Sequence, residues 1–160
     1  MIFAAVGTQL PFDRLVKWLD DWSAKNLDVE VIVQTGESRV LTSAIKAFNF
    51  IDPITFAHYQ SAAEIIVGHC GMGTILAALE LKKPCIVIPR LSELGEHRND
   101  HQLATAAHFK DRPGVYVAFD ERGLCRLLNQ RHALKCAVSA LPAFASTELL
   151  AAVENFIEHS

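Results

Sequence analysis

The stretch Ser61–Arg90, SAAEIIVGHCGMGTILAALELKKPCIVIPR, reads as a buried strand, a glycine turn, a helix and a second buried strand. Glu64–Gly68 is a short apolar run rich in β-branched residues, and Cys85–Ile88 is apolar throughout. Both runs are typical of strands in a parallel sheet that is covered on its two faces. Between them, Thr74 is predicted to cap a helix that runs to about Lys83. This unit predicts a sheet built from parallel strands and crossover helices.

The turn between these two strands is a candidate anion site. Gly71 and Gly73 can adopt positive φ or let a ligand approach the backbone. A helix N-terminus offers free N–H groups and the positive end of the helix dipole, so a phosphate is predicted at Gly71–Thr74. A helix-entry turn without a ligand would look the same, because short glycine motifs give many false matches. A second turn, Gly7–Gln9, follows another strand predicted to be central, and the two turns together favour a diphosphate site.

Size and composition indicate an ordinary globular chain. Its 160 residues, 51% hydrophobic and 21% charged, fit one domain that spans residues 1–160. The net charge of −3 indicates no broad basic surface for nucleic acid. The four cysteines form no CxxC pair, so reduced thiols in a cytosolic protein are expected. No apolar run reaches about 18 residues, and no basic region precedes the first strand, so neither a membrane span nor a signal peptide is expected.

Strands and helices are predicted to alternate along the whole chain. Further strands are expected at Ile2–Val6, Val29–Val33, Phe48–Ile51 and Val115–Phe119. Further helices are expected from Pro11, at Leu41–Ala47, Phe56–Ala63, His97–Phe109 and Asp120–Asn129, and from near Ser146. This predicts an α/β fold: a single Rossmann-like domain whose mostly parallel sheet has helices on both faces. Ligands bind such sheets beyond the carboxyl ends of the strands, where the turns at 7–9, 34–36, 69–74 and 90–102 would converge.

The segment Glu96–Gln102, EHRNDHQ, packs many polar groups where a helix is predicted to start. A charge run is usually a solvated face. This one follows a strand end directly, and sugar hydroxyls need side chains that donate and accept hydrogen bonds. Asn99 and Gln102 would share one side of the helix. His69 precedes the glycine turn and is a second candidate for phosphate or sugar contact, whereas Arg14 is expected on the surface.

Two other kinds of site have partial support in the sequence. His97, His101 and His108 would share a helical face and could hold zinc, but no cysteine or carboxylate completes a ligand set, so no metal is expected. A nicotinamide or flavin site needs GxGxxG in the first turn and an acid about 20 positions later. The first turn here has only Gly7, and no GxxxxGK[ST] motif is present. A dinucleotide-dependent oxidoreductase is therefore a less favoured interpretation.

The motifs taken together resemble a known family. In order, these are MIF…VGTQ-x-PFDRLVK, FIDPI, HCGMGT, KKPCIVIPR and GEHRNDHQLA, from Met1 to about Phe109. They resemble the small PssE-like and Alg13-like glycosyltransferase subunits, which are similar to the carboxyl-terminal half of a GT-B enzyme. That half is of the glycosyltransferase family 28 C-terminal domain type, related to MurG.

The resemblance implies an inverting transferase that uses a UDP-sugar as substrate and needs no cofactor. The residues it implies for the diphosphate are Gly7, Thr8, Gln9, Gly71, Met72, Gly73 and Thr74, with His69 beside them. The backbone at Phe50 and Ile51 would meet uracil, and Glu96, Asn99 and Gln102 would reach the sugar. His69, Glu96 and His97 are the candidates for the general base, unless a partner supplies it.

The family also implies a partner and a location. A membrane-anchored, PssD-like or Alg14-like subunit would bind a polyprenyl-diphosphate-linked sugar acceptor, often in exopolysaccharide assembly. It would hold this cytoplasmic chain at the inner face of the membrane. Ala77 stands where related transferases often carry a ribose-binding glutamate, which favours the alternative of a non-catalytic UDP-sugar-binding or scaffolding subunit. The sequence does not identify the transferred sugar, although Arg90 or Arg98 could pair with the carboxylate of glucuronic acid.

Overall fold

Six parallel strands form one twisted sheet in the computed structural model, which describes residues 1–136. The strands are β1 (Ile2–Ala5), β2 (Val31–Gln34), β3 (Lys46–Phe48), β4 (Ile65–His69), β5 (Cys85–Ile88) and β6 (Val115–Val117). Their order in space is β3-β2-β1-β4-β5-β6, and every neighbouring pair is parallel. The order therefore reverses between β1 and β4, and all carboxyl ends lie at one edge.

Five α-helices cover the sheet. They are α1 (Asp13–Ser23), α2 (Pro53–Ala62), α3 (Met72–Glu80), α4 (His101–Phe109) and α5 (Glu121–Asn129), with short 3-10 helices at Ser92–Leu94 and Arg131–Ala133. The core clusters place α1 and α5 on one face and α2, α3 and α4 on the other. This confirms the predicted α/β class with helices on both faces. Among the helices described, none is long and apolar enough to cross a bilayer.

The two faces follow from the alternation of side chains along the strands. Ile2 and Ala4 of β1 pack under α1 and α5, whereas Phe3 between them packs under α2. The apolar stripe of α1 is buried as its spacing predicts, and burying each large side chain contributes about 1.5–3 kcal/mol. Trp22 at its end donates a hydrogen bond from Nε1 to Asn129 Oδ1 at 2.8 Å, which ties α1 to α5.

The segment before β3 is not helical: the chain bends at 43–45 and enters the strand at Lys46, so the predicted helix at Leu41–Ala47 is wrong. The carboxylate of Asp20 accepts hydrogen bonds from the backbone N–H groups of Ser43, Ala44 and Ile45 at 2.8–3.1 Å. These three N–H groups are therefore not available for helical hydrogen bonds. The third strand begins earlier in the chain than predicted. The third strand is accordingly Lys46–Phe48 rather than Phe48–Ile51.

The helix after β4 starts earlier than predicted. Gly71 is the N-cap and Met72 the first helical residue, so Thr74 lies inside the first turn and does not cap it. The helix ends at Glu80, short of the predicted Lys83, because Lys82 adopts a left-handed conformation with φ of 53°. The strand–turn–helix–strand order predicted for this region is confirmed.

The helix after β5 starts later than predicted. It begins at His101, not near His97, because Ser92 and Asp100 close a loop: the N–H of Ser92 donates to Asp100 Oδ1 at 2.8 Å. Gly95 turns the chain there with φ of 70°.

Two further boundaries complete the described part of the chain. The sixth strand is shorter than expected, Val115–Val117 rather than Val115–Phe119. The predicted Asp120 cap of α5 is confirmed, since the Asp120 carboxylate accepts the N–H of Gly123 at 2.6 Å. The helix expected from near Ser146 lies outside the described residues.

Candidate functional site

A cavity of about 550 Å³ opens at the carboxyl edge of the sheet, where the strand order reverses. Its polar lining comes from the turns predicted to converge there: Gly7, Thr8, Gln9, Gln34, His69, Gly71, Gly73, Thr74, Arg90, His97, His101 and Gln102. Reversal of strand order leaves adjacent connections running to opposite faces, which opens a crevice for a ligand. The convergence predicted from the sequence is therefore confirmed.

The first turn of α3 presents free hydrogen-bond donors to this cavity. No side chain caps the helix at Gly71, and the first helical hydrogen bond runs from Ile75 N–H to Gly71 O at 3.2 Å. Within residues 1–136, the N–H groups of Met72, Gly73 and Thr74 therefore have no acceptor. Gly73 and Thr74 line the cavity, while the Met72 side chain is exposed outside it. Free donors and the helix dipole together suit an anion.

The imidazole of His69 is packed between the backbones of Gly7 and Gly71. A β-carbon at either glycine would overlap the ring, and Gly7 also has a φ of +86°. Burial, together with the nearby Arg90 charge, lowers the pKa of His69 to about 4. The ring is therefore neutral at pH 7. Its Nδ1 is buried and has no hydrogen-bond partner among the described residues, which leaves a polar atom for a ligand to satisfy.

Arg90 is a buried cation beneath the cavity. Its guanidinium donates to the carbonyl oxygens of Val6, Glu96 and Pro11, the last two at 2.8 and 3.1 Å. It lies 4.7 Å from the centre of the Phe12 ring. Burial lowers the pKa of Arg90, and the Glu96 charge offsets part of that effect, so the group stays charged. Because backbone carbonyls occupy it, Arg90 is poorly placed to bind a uronate, and Arg98 is exposed outside the cavity.

Glu96 lies outside the cavity, and its carboxylate is hydrogen-bonded to Arg14. Arg14 donates from Nε to Oε1 at 2.8 Å and from Nη2 to Oε2 at 2.7 Å, and the Leu91 N–H donates to Oε2 at 2.9 Å. The carboxylate is buried, so its predicted contact with a sugar and its role as a base do not fit this geometry. The surface placement expected for Arg14 is wrong, because the side chain is largely buried.

The remaining polar candidates divide into two groups. His97 and His101 line the cavity, with ring centres 4.5 Å apart, and Gln102 is buried with its Oε1 accepting the Arg90 N–H at 3.1 Å. Asn99 is exposed outside the cavity, and its side chain accepts the His101 N–H. The expected pairing of Asn99 and Gln102 on one helix side fails because Asn99 precedes the helix.

Nowhere in residues 1–136 do three potential metal-binding side chains cluster.

The loop after β3 does not meet the cavity. Phe50 is 71% exposed, and the Ile51 N–H is already donated to Gln34 Oε1 at 3.0 Å. The backbone predicted to meet uracil is therefore not free at Ile51.

Sequence reasoning missed two residues of α2 that line the cavity, Phe56 and Gln60. Both residues fall within the predicted helix at Phe56–Ala63, and their spacing of four places them on one helix face, but no motif marks that face as facing a ligand.

Comparison with known proteins decides the family. The model of the glycosyltransferase family 28 C-terminal domain matches residues 1–126. The chain belongs to this family. A search of curated proteins finds no match. The family 28 assignment confirms the broad resemblance read from the motifs.

Solved structures share the fold of this family 28 domain. ALG13 in solution is 20% identical with a TM-score of 0.64, over 88% of this chain and 90% of that one. MurG from Acinetobacter baumannii is 19% identical with a TM-score of 0.68, over 99% and 49%. A UDP-glucose: anthocyanidin 3-O-glucosyltransferase in complex with UDP is 17% identical with a TM-score of 0.58, over 80% and 30%. The chain thus has the fold of the carboxyl-terminal half of GT-B enzymes and spans about half of MurG.

Proposed function

We propose that this chain is the donor-binding and catalytic subunit of an inverting, UDP-sugar-dependent glycosyltransferase of the PssE-like and Alg13-like type. The observation that carries this is the set of free N–H groups in the first turn of α3, where Gly73 and Thr74 line the cavity of a family 28 domain. The acceptor hydroxyl attacks C1 of the sugar, the C1–O bond to the diphosphate breaks, and UDP leaves.

The diphosphate is held without a cofactor in this proposal. The α3 amides and dipole stabilise the negative charge that grows on the leaving UDP. The buried guanidinium of Arg90 adds a fixed positive charge close by. His69, neutral at pH 7, gives a hydrogen bond from its ring rather than a charge.

The general base is assigned to His97 among the candidates in this chain. A base works best when its pKa is near the operating pH, so His69, with a pKa of about 4, is a poor one. Glu96 is held by Arg14 and does not line the cavity. His97 does line it. The acceptor-binding partner is the alternative source of the base.

A partner surface surrounds the cavity. Large apolar side chains are exposed on the loops and helix starts that follow β3, β4, β5 and β6 at the carboxyl edge: Phe50, Ile54, Met72, Leu94 and Phe119. Exposed apolar groups collected on one edge mark a protein contact. The proposed partner is a membrane-anchored, PssD-like or Alg14-like subunit that binds a polyprenyl-diphosphate-linked sugar acceptor for exopolysaccharide synthesis. It would hold this chain at the cytoplasmic face of the membrane.

Isothermal titration of the full chain with UDP, in the presence of a chelator, tests the donor site. We expect saturable one-to-one binding; no heat at millimolar UDP would end the proposal. Sugar transfer is then measured with the partner co-purified from native membranes, using UDP-glucuronic acid, UDP-galactose and UDP-N-acetylglucosamine. Binding without transfer in this complex would favour a non-catalytic donor-binding subunit, which the missing acid at Ala77 also favours.

A further inference from the structure

The guanidinium of Arg90 binds both ends of the turn between β1 and α1. Its Nη2 donates to the carbonyl oxygen of Val6, the residue after β1, and its Nη1 donates to that of Pro11 at 3.1 Å. Only the four residues Gly7–Leu10 lie between these two carbonyl groups in the chain. A guanidinium is planar, and its donors keep fixed relative positions. Arg90 therefore sets the distance between the two ends of the Gly7–Leu10 turn.

The Gly7–Leu10 turn has few contacts of its own to fix its conformation. Within residues 1–136, none of its four residues makes a hydrogen bond to another residue, from the backbone or from a side chain. Thr8 and Gln9 are exposed, and both line the cavity. Because hydrogen bonds of its own are missing, the position of the turn depends on its two ends, which Arg90 holds.

The same guanidinium also holds the loop that carries His97. Its Nη1 donates to the carbonyl oxygen of Glu96 at 2.8 Å, and His97 is the next residue in the chain. His97 lines the cavity and is the base proposed for this chain. One side chain therefore links the turn proposed to contact the diphosphate to the loop proposed to supply the base.

Arg90 is itself held on several sides. It is 2% exposed, and its backbone N–H donates to Gln102 Oε1 at 3.1 Å. The fully buried ring of Phe12 has its centre 4.7 Å from the guanidinium carbon of Arg90 and 5.3 Å from that of Arg14. Stacking on an aromatic ring limits the movement of a guanidinium. Arg90 is therefore suited to fix the positions of the groups that it bonds.

We infer that Arg90 is a positioning residue that holds the Gly7–Leu10 turn and His97 in one arrangement, so that its loss lowers turnover more than donor affinity. The inference rests on the proposed function, because it needs a donor at the turn and a base at His97. The free N–H groups of α3, which Arg90 does not contact, provide the main proposed diphosphate contacts. Turnover is more sensitive, because a misplacement of about 1 Å can cost about 10²-fold in rate.

Arg90→Lys tests this inference, because it keeps the positive charge but replaces the planar fork by a single ammonium group. Turnover is measured in the partner complex, with whichever of UDP-glucuronic acid, UDP-galactose and UDP-N-acetylglucosamine the native complex transfers. We expect the turnover number to fall about 10–100-fold. UDP affinity, from titration calorimetry on the full chain, should change less than about threefold, because the charge is kept. Arg126→Lys, the same change at an exposed position in the last turn of α5 and outside the cavity, is the matched control and should behave as the native chain does.

A second variant decides the matter if thermal melting shows that Arg90→Lys is unfolded. Phe12→Leu keeps an apolar side chain in the core but removes the ring beside the guanidinium. Leu19→Val, a small change at a buried position within α1, is its control. The turnover number should fall by a larger factor than UDP affinity in Phe12→Leu, and neither quantity should fall in Leu19→Val.

The outcomes separate this inference from the proposed function. Native turnover in a folded Arg90→Lys variant overturns the positioning role, and so does a fall of turnover and UDP affinity by the same factor. Either result leaves the donor site in place. A native chain that binds no UDP ends the proposed function. A native complex that binds UDP but transfers none of the three sugars removes the catalytic role, and this inference fails with it.

Discussion

Arg14 and Glu96 are joined by two hydrogen bonds, Nε to Oε1 at 2.8 Å and Nη2 to Oε2 at 2.7 Å, although 82 positions separate them. Arg14 also donates to the carbonyl oxygens of Pro89 and Phe119. The pair therefore fastens the loop after β5 to α1 and to the end of β6. His97, His101 and Gln102 follow directly in that loop and the helix after it, so their position depends on this ion pair.

Glu96→Gln should destabilise the protein by about 3 kcal/mol, because it leaves the largely buried Arg14 guanidinium without its counter-charge. Urea denaturation measures the change in the free energy of unfolding. Asp21→Asn, which breaks the exposed Lys17–Asp21 pair, is the matched control and should leave the free energy of unfolding almost unchanged. A stable Glu96→Gln variant with lost sugar transfer would instead assign Glu96 to the chemistry.

Gly71→Ala should cost about 2 kcal/mol, because the added methyl group overlaps the His69 ring. The cost should be much smaller in a His69→Ala background, where the ring is absent. A double-mutant cycle of unfolding free energies measures this coupling. Additive effects of the two substitutions would mean that the ring does not occupy the space beside Gly71.

Gly73→Ala should separate folding from binding. A β-carbon at Gly73 meets no atom within 4 Å, so alanine should stabilise the helix by about 0.5–1 kcal/mol. The same methyl group projects where a phosphate would approach the free amides, so UDP affinity should fall at least tenfold. Melting temperature and titration calorimetry give the two readouts. A variant that is more stable and binds UDP normally would place the phosphate elsewhere.

His69 should make the protein less stable in mild acid. Its pKa is about 4 in the folded protein, below the ordinary histidine pKa of 6.5, so the unfolded chain binds the proton first as the pH falls. Stability is then lost between about pH 6.5 and pH 4, by about 3 kcal/mol in total. His69→Gln should lack this part of the decline in urea midpoints. Parallel curves for the two proteins would show that the ring titrates as if in water.

His97→Gln should lower the turnover number of the partner complex by about 10²–10⁴-fold while UDP affinity stays the same, if this side chain is the base. His108→Gln, an exposed change on α4 outside the cavity, is the matched control. Rates and titration on the same preparations give the comparison. Normal turnover in His97→Gln would place the base on the acceptor-binding partner.

The sequence was sufficient for the fold because the signals are local. Cys85–Ile88 has the predicted bounds, since an unbroken apolar run between two prolines admits few alternatives. The turns at Gly7 and Gly71 converge as expected, because parallel strands place all carboxyl ends at one edge. Burial of the α1 stripe follows from its period.

The errors arise where distant side chains set local structure. Leu41–Ala47 is not helical because the carboxylate of Asp20, more than twenty positions away, accepts the N–H groups that a helix would need. Glu96 looks like a free acid in a polar run, and only the folded chain shows Arg14 against it. The spacing of apolar residues along a helix or strand gives no information about such distant side-chain pairs. The low pKa of His69 likewise depends on packing between Gly7 and Gly71, which composition does not reveal.

The burial of Arg90 has a consequence for how fast a donor arrives. The charges of Arg14 and Glu96 cancel each other. Arg90 therefore contributes one uncompensated positive charge to this network, inside a chain whose net charge is −3. An approaching anion is repelled at long range and attracted only once it enters the cavity. Added salt screens the long-range repulsion more than the attraction inside the cavity. Moderate ionic strength should therefore speed donor association, the opposite of the usual behaviour of a basic phosphate-binding surface.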